Sequence, residues 1–395
     1  MLPGSGVQSG SLLRRLREDP HDAIVRIAGE IGVRRATSLG EAQAAAYIDG
    51  RMRRAGMRVS VDAFRAPVGL AWDGLLIGLA ALVGVVLYRW LPLPSLFLAL
   101  WNVGLAAVML WRPAAPLLRR RRPSQNVIAT RALNSSPRWR VVLLAALDAP
   151  PASGRLTRLL ATGQRPLFAR LLASGLIALL GFGALFGPIE LRRLLWYVQF
   201  LPTGYLLLLC AFELRLAFAP ATPGAVNHAG ALAALLHSAD MLGGLQQTEL
   251  WAVALGSSDS GAGLDDLLRR YPFDRDQTLF VGIESLGGGR LSYVTRAGAL
   301  LRQPADPELL HLVAAADASD TLINAEPRPY ASEPVLAHAL GRAGRRAITI
   351  IGLDADGRPA QRGSLADSPD FVDAAALDRG IRLIVELVKR VDESA

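Results

Sequence analysis

Lysine is almost missing from these 395 residues: Lys389 stands alone among 43 basic side chains, and the rest are arginine. The formal net charge is +9, yet the arginines crowd beside apolar runs rather than spreading over a basic surface. That is the distribution of membrane flanks, and no nucleic-acid partner is expected. Cysteine is equally scarce. The single thiol, Cys210, lies inside an apolar run, which excludes an intrachain disulfide and a thiolate metal site. Histidine is limited to five positions. His228 and His237 fall nine residues apart on one expected helix, about 900° of rotation, so they point to opposite faces. His21, His311 and His338 have no carboxylate or imidazole at ligand spacing. Residues 1–30 contain the charged stretch SLLRRLREDP and no apolar core, so no cleavable signal peptide is expected there.

What is abundant is apolar: hydrophobic types make up 51% of the chain, concentrated in four runs. Leu70 to Trp90 and Leu93 to Trp111 form one hairpin, within 67–122. Leu171 to Ile189 and Leu194 to Phe212 form a second, within 151–222. Each run has about 20 residues, enough for a helix across a ~30 Å hydrocarbon layer. Trp72, Trp90, Trp111 and Trp196 sit at run ends, where amphipathic rings favour the interface. The hairpin tips carry Arg89, Arg192 and Arg193, whereas the opposite flanks carry Arg65, Arg112, Arg119 to Arg122, Arg165, Arg170 and Arg215. Cytoplasmic flanks hold the excess of arginine. The expected placement is therefore a multi-pass protein of a bacterial-type inner (plasma) membrane, with the globular part and both termini cytoplasmic. The run Arg119 to Arg122 suits topology control, and it also suits anionic lipid head groups.

The remaining segments, 1–66, 123–150 and 223–395, alternate helix and strand periodicities. Glu41 to Ala55, Ala229 to Leu242, Pro307 to Ala316 and Asp373 to Val391 read as helices. Met57 to Phe64, Gln125 to Thr130, Trp139 to Leu147, Glu249 to Leu255, Thr278 to Ile283, Leu291 to Thr295 and Ala347 to Ile351 read as strands. This alternation predicts an α/β, three-layer sandwich with a mixed, largely parallel sheet; a buried strand of that kind is a continuous apolar run such as VVLLAAL. Asn227 reads as an N-cap with His228 at the helix start. GSSDSG, from Gly256 to Gly261, lacks the Gly-x-Ser-x-Gly elbow of serine hydrolases and reads as a tight turn at Gly261. Gly287-Gly288-Gly289 reads as a hairpin turn into the strand at Leu291.

Five segments in order carry a family resemblance: VVLLAALDAP (Val141 to Pro150), PGAVNHAGALAALL (Pro223 to Leu236), ALGSSDSGAG (Ala254 to Gly263), GIESLGGG (Gly282 to Gly289) and RGSLADSPDFVD (Arg362 to Asp373). Together the chain resembles the co-catalytic zinc exopeptidases, metallopeptidase family 28. The resemblance implies a two-zinc site at the carboxyl ends of central strands, but six of its positions are altered here. The first ligand His, two residues before an Asp, corresponds to Ala146 before Asp148. The bridging Asp corresponds to Asn227, and the Glu-Glu pair of base and ligand to Ser258-Asp259. The next ligand Asp corresponds to Glu284, and the last His, four residues before an Asp, to Gly363 before Asp367.

A zinc site needs imidazole or thiolate donors and a carboxylate base for its water; the expectation is that neither zinc nor another cofactor is held and that no catalytic residues remain. Asp148, Asn227, His228, Asp259, Glu284 and Asp367 are then candidate lining residues of a binding pocket. Weak magnesium or calcium binding through Asp148, Asp259 and Glu284 stays open. The expected role is a membrane-anchored, inactive peptidase homologue that binds or scaffolds another integral membrane protein. The alternative is an active membrane-bound metallopeptidase with an atypical metal site.

Overall fold

The computed structural model describes residues 19–69, 72–111, 119–132, 136–300, 302–331 and 335–394. Residues 1–18, the start of the first apolar run at Leu70 and the flanking Arg112 lie outside them. Asp19 caps α1 (Pro20–Ile24), which loosens into a π-helical stretch, Val25–Ile31. Ser38 caps α2 (Leu39–Arg54), whose alanine-rich sequence favours helix. Strand β1 (Arg58–Val68) follows, then α3 (Trp72–Leu87) and α4 (Pro92–Trp111). Strands β2 (Arg120–Arg131) and β3 (Trp139–Ala146) come next, then α5 (Arg155–Ala161), α6 (Gln164–Phe186) and α7 (Ile189–Ala217).

The C-terminal half opens with a π-helical turn, Ala225–Ala229, that runs into α8 (Gly230–Met241). It continues through β4 (Thr248–Leu255), a 3-10 turn at Ser258–Ser260, α9 (Ala262–Arg270), β5 (Thr278–Glu284), β6 (Arg290–Ala297) and β7 (Gln303–Pro304). The last elements are α10 (Pro307–Ser319), β8 (Glu326–Tyr330), α11 (Leu336–Arg342), β9 (Arg346–Leu353) and α12 (Ala374–Glu393), the last capped by Asp373.

The nine strands form one sheet in the order β1-β2-β4-β3-β5-β9-β6-β7, with β8 beside β6. Its centre, β4-β3-β5-β9, is parallel, and β1, β2 and β6 join antiparallel. Covering both faces explains the unbroken apolar run of β3. Val141, Leu143 and Ala145 pack with α2, α8, α10 and α12, while Val142 and Leu144 pack with α9 and α11. The expected three-layer α/β architecture is therefore present.

Two local expectations are corrected. Strands β5 and β6 are not hairpin partners, because β9 lies between them. The glycines there serve a close backbone crossing: Gly287 N donates to Val226 O at 2.9 Å, and a Cβ on Gly287 would fall 2.6 Å from that oxygen. Nor does Asn227 cap a helix. It sits inside the π-helical turn with its side chain engaged elsewhere, and α8 starts without a side-chain cap.

Helices α3, α4, α6 and α7 form a bundle in which α4 packs on α6, α6 on α7 and α7 on α3. Its interior combines an apolar cluster that includes Ile77, Val85, Ile177 and Leu206 with scattered polar side chains. Ser95, Asn102, Ser174, Gln199 and Thr203 are buried between the helices, whereas Phe97, Leu100, Leu179, Phe182 and Leu201 face outward and are exposed. Three of the helices, α4, α6 and α7, are long and apolar enough to cross a membrane, and α3 is shorter. The four-run reading is thereby revised at α3. Tyr88 to Trp90 already form a turn, leaving 16 helical residues among those described, about 24 Å of rise. Both helices of the second pair start earlier than their apolar runs, at Gln164 and Ile189; α6 ends at Phe186, before Ile189, and α7 continues past Phe212 to Ala217. At the end nearest the sheet domain, Arg170 and Glu213 form a buried ion pair at 2.7 Å.

Candidate functional site

The carboxyl ends of β3, β4 and β5 converge with the turn at Ala225–Ala229 and the loop between β9 and α12. Ala146 ends β3 and contributes only a methyl group. Two residues on, Asp148 is buried, and its Oδ1 accepts the Ser258 backbone N–H at 2.7 Å. The Ser258 hydroxyl donates to the same carboxylate. His228 Nδ1 donates to the Asp148 backbone carbonyl, so the imidazole secures the chain after β3. Burial, then repulsion from Asp259 and Glu41, pushes the Asp148 carboxyl up to about 7, against the opposing bonds from Ser258.

The Ser-rich turn after β4 is built as expected. Ser257 adopts φ 46° and Gly261 φ 72°. Ser257 Oγ and Ser260 Oγ share a hydrogen bond at 2.9 Å, which ties both hydroxyls into the turn. Beneath it lies Glu41, a buried carboxylate that accepts the N–H groups of Ser257 at 2.8 Å and Thr37 at 2.7 Å and the hydroxyl of Ser124 at 3.0 Å. Burial raises the Glu41 carboxyl above its ordinary range in spite of these donors.

Asn227 is a crosslink. Its Nδ2 donates to Asp367 Oδ2 at 2.8 Å and to Ala360 O at 2.9 Å, and its Oδ1 accepts from Ser285 Oγ at 2.8 Å. Asp367 Oδ1 accepts the Val226 N–H at 2.6 Å. An amide suits this node because both Nδ2 hydrogens meet oxygen acceptors.

Asp259 and Glu284 face a guanidinium. Arg362 Nη2 lies 3.8 Å from Asp259 Oδ1, and its Nη1 lies 3.9 Å from Glu284 Oε2. Glu284 Oε1 also accepts the Leu336 N–H, at the start of α11, at 2.8 Å. Gly363, next in the chain, has φ 69°, and a Cβ there would lie 2.8 Å from Ser153 Oγ. That backbone conformation and that contact disfavour any side chain, so an imidazole does not fit at this position.

A two-zinc cluster does not fit these residues. The donors are carboxylates and a saturated amide, with no imidazole among Ala146, Asn227, Ser258, Asp259, Glu284 and Gly363. A fixed positive charge already lies within 4 Å of two of the carboxylates. Among the described residues, no three His, Cys, Asp or Glu side chains are grouped to hold a metal ion.

Sequence reasoning missed Arg34, Glu41 and Arg362. Arg34 is fully buried, donates to Ile27 O and Gly32 O at 2.8 and 2.7 Å, and interacts electrostatically with Asp148 and Asp367. Burial holds its guanidinium down to about 10. One arginine among 42 carries no signal. Glu41 did have one, in the capping-box pattern from Ser38 to Glu41, but that pattern points the carboxylate at its own helix rather than at Ser257.

The sheet order and the site at its carboxyl edge define the fold of the zinc exopeptidases. No family model matches the sequence, and no curated protein matches it. Among solved structures, the chain is similar to a zinc aminopeptidase from Bacillus subtilis, with TM-score 0.56 and 11% identity over 94% of each chain. It is similar to an aminopeptidase from an Aneurinibacillus strain, with TM-score 0.55 and 12% identity over 93% of this chain and 92% of that one. It is similar, too, to a glutaminyl cyclase from Porphyromonas gingivalis, with TM-score 0.55 and 12% identity over 95% and 98%. At such identities the likeness establishes the fold. Because aminopeptidases and a cyclase share it, the fold does not choose a reaction.

The buried Asp148 leads to a pH prediction. Its folded pKa lies above the ordinary value, so ionisation is harder in the folded chain. The cost is absent below about pH 4 and grows until about pH 7. Asp148→Asn keeps an oxygen for the Ser258 N–H and removes that cost. The variant should gain on the parent by about 2–4 kcal/mol between pH 4 and pH 8, measured by unfolding of detergent-solubilised protein. A pH-independent difference would contradict the burial of an ionisable carboxyl here.

Proposed function

We propose that this chain is a membrane-anchored, non-hydrolytic homologue of the zinc exopeptidases that acts as a binding or scaffolding subunit for another integral membrane protein. The observation that carries the reading is Arg362 between Asp259 and Glu284, where the resemblance calls for metal. An arginine cannot be displaced as a water ligand can, and its charge offsets the two carboxylates without zinc. Ser258 stands where the resemblance puts the general base, and losing a general base alone costs about 100- to 10,000-fold in rate.

Anchoring rests on α4, α6 and α7, and on a bundle whose outer face is apolar while Ser95, Asn102, Ser174, Gln199 and Thr203 are buried between its helices, an arrangement that suits lipid as solvent. The arginine count supports a cytoplasmic sheet domain; a C-terminal reporter active only outside the cell would overturn that. The competing reading, a hydrolase using Asp259 and Glu284 with an unusual metal, needs Arg362 to leave.

The test is a cleavage assay on detergent-purified full-length protein, with aminoacyl and amino-terminal glutaminyl substrates in added zinc or cobalt. The expected result is no turnover above a metal-only blank, together with a stable co-purifying membrane protein. Metal-dependent turnover that Glu284→Gln abolishes would overturn the reading.

A further inference from the structure

Strand β1 is paired with β2 along its whole length, from Arg58 opposite Thr130 to Val68 opposite Arg120. However, β2 pairs with β4 only from Val127 to Arg131. The outer half, Phe64–Val68 with 120–124, is therefore a two-stranded arm beyond the sheet. Its tip leads to the bundle: three residues separate Val68 from the start of α3 at Trp72, and β2 is the strand that follows α4. Trp72 and Trp111, at the ends of those helices nearest the arm, are exposed.

Four arginines stand on this arm. Arg65, Arg120, Arg121 and Arg122 are all exposed. Among the described residues, none of the four lies within ion-pair distance of a carboxylate. The run is split at its first member, because Arg119 is half-buried and interacts with Glu213 and Asp73 at the foot of the bundle. Register sorts the others. Arg65 opposes Pro123 and Pro67 opposes Arg121, so Arg65 and Arg121 are diagonal neighbours on one face; Arg120 and Arg122 share the other. A topology signal requires only net charge near a helix end. A stiff arm with two pairs of guanidiniums beside the membrane helices offers more, because paired planar donors match phosphate oxygens.

We infer that this arm is a docking surface for the phosphate of anionic lipid head groups in the adjacent leaflet. The inference rests on the anchored reading above. Charge complementarity and continuity with α3 and α4 select lipid as the occupant.

The experiment uses full-length protein in neutral detergent, titrated with short-chain phosphatidylglycerol or phosphatidylcholine and read by native mass spectrometry. The expected preference for phosphatidylglycerol is about 10- to 100-fold at low salt, falling at high salt. The triple variant R120Q/R121Q/R122Q should lose it, R65Q/R121Q should weaken it, and R192Q/R193Q, at the far end of the bundle, should retain it. An unchanged preference in both arm variants would overturn the inference, as would equal competition by inorganic phosphate. Carbonate extraction separates the two readings. A chain that stays in the membrane pellet but shows no head-group preference overturns the docking surface alone. A chain released by carbonate overturns the anchoring and the docking surface with it.

Discussion

Asn227→Asp is expected to destabilise the folded chain by about 3–5 kcal/mol at neutral pH, the range for an uncompensated buried charge. In a working metal site the same substitution would restore a bridging carboxylate. Here it places one carboxylate against another: the group now bonded to Asp367 Oδ2 at 2.8 Å and to Ala360 O at 2.9 Å would carry no hydrogen for either acceptor. Like charges this close cannot both ionise cheaply. The new carboxyl would have a folded pKa above its unfolded one, so stability should return as pH falls toward about 4. Unfolding of parent and variant at pH 7.5 and pH 5 checks this. A variant as stable as the parent that also acquires stoichiometric zinc would contradict the structural role assigned to Asn227.

A comparable loss is expected where the bundle meets the sheet domain. The Arg170–Glu213 pair is buried, with side-chain exposures of 2% and 9%. Removing Arg170 leaves the buried Glu213 with no cation in contact among the described residues and only the electrostatic pull of Arg119, and breaking a buried pair typically costs about 3–5 kcal/mol. Arg170→Met should therefore lower thermal stability sharply, whereas Arg170→Met with Glu213→Leu should recover most of it, because replacing both charges by packed apolar groups is often neutral. Gly74 is part of this contact, as a Cβ there would overlap the Glu213 carboxylate. A single variant that melts like the parent would mean that the pair is hydrated and holds nothing together.

The fold was legible where pattern and environment agree. VVLLAAL announced a strand covered on both faces, and β3 is that strand at the centre of the sheet. The amphipathic stretch from Asp373 to Val391 announced α12, which starts one residue later at Ala374, with the Asp373 carboxylate accepting the Ala375 and Ala376 N–H groups. Legibility failed where tertiary contacts override local signals. Gly287 to Gly289 look like any glycine turn, and only the backbones of Val226 beside Gly287 and Leu353 beside Gly289 show why side chains are excluded there. Strand β8 contains two prolines in Glu326–Tyr330, a composition that argues against strand and is tolerated beside β6 alone. For the site, the residue types at the six altered positions were readable, but what fills the space was not. Arg362 reaches Asp259 and Glu284 from a distant loop, and no local spacing encodes that approach.

The most direct measurement is the zinc content of the full-length chain, purified without chelator, equilibrated with zinc in slight excess and passed through a desalting column. With Arg362 set between the two carboxylates and every imidazole position altered, the prediction is far less than one zinc per chain, unchanged between pH 6 and pH 8. Stoichiometric zinc that Glu284→Gln or Asp259→Asn removes would contradict it.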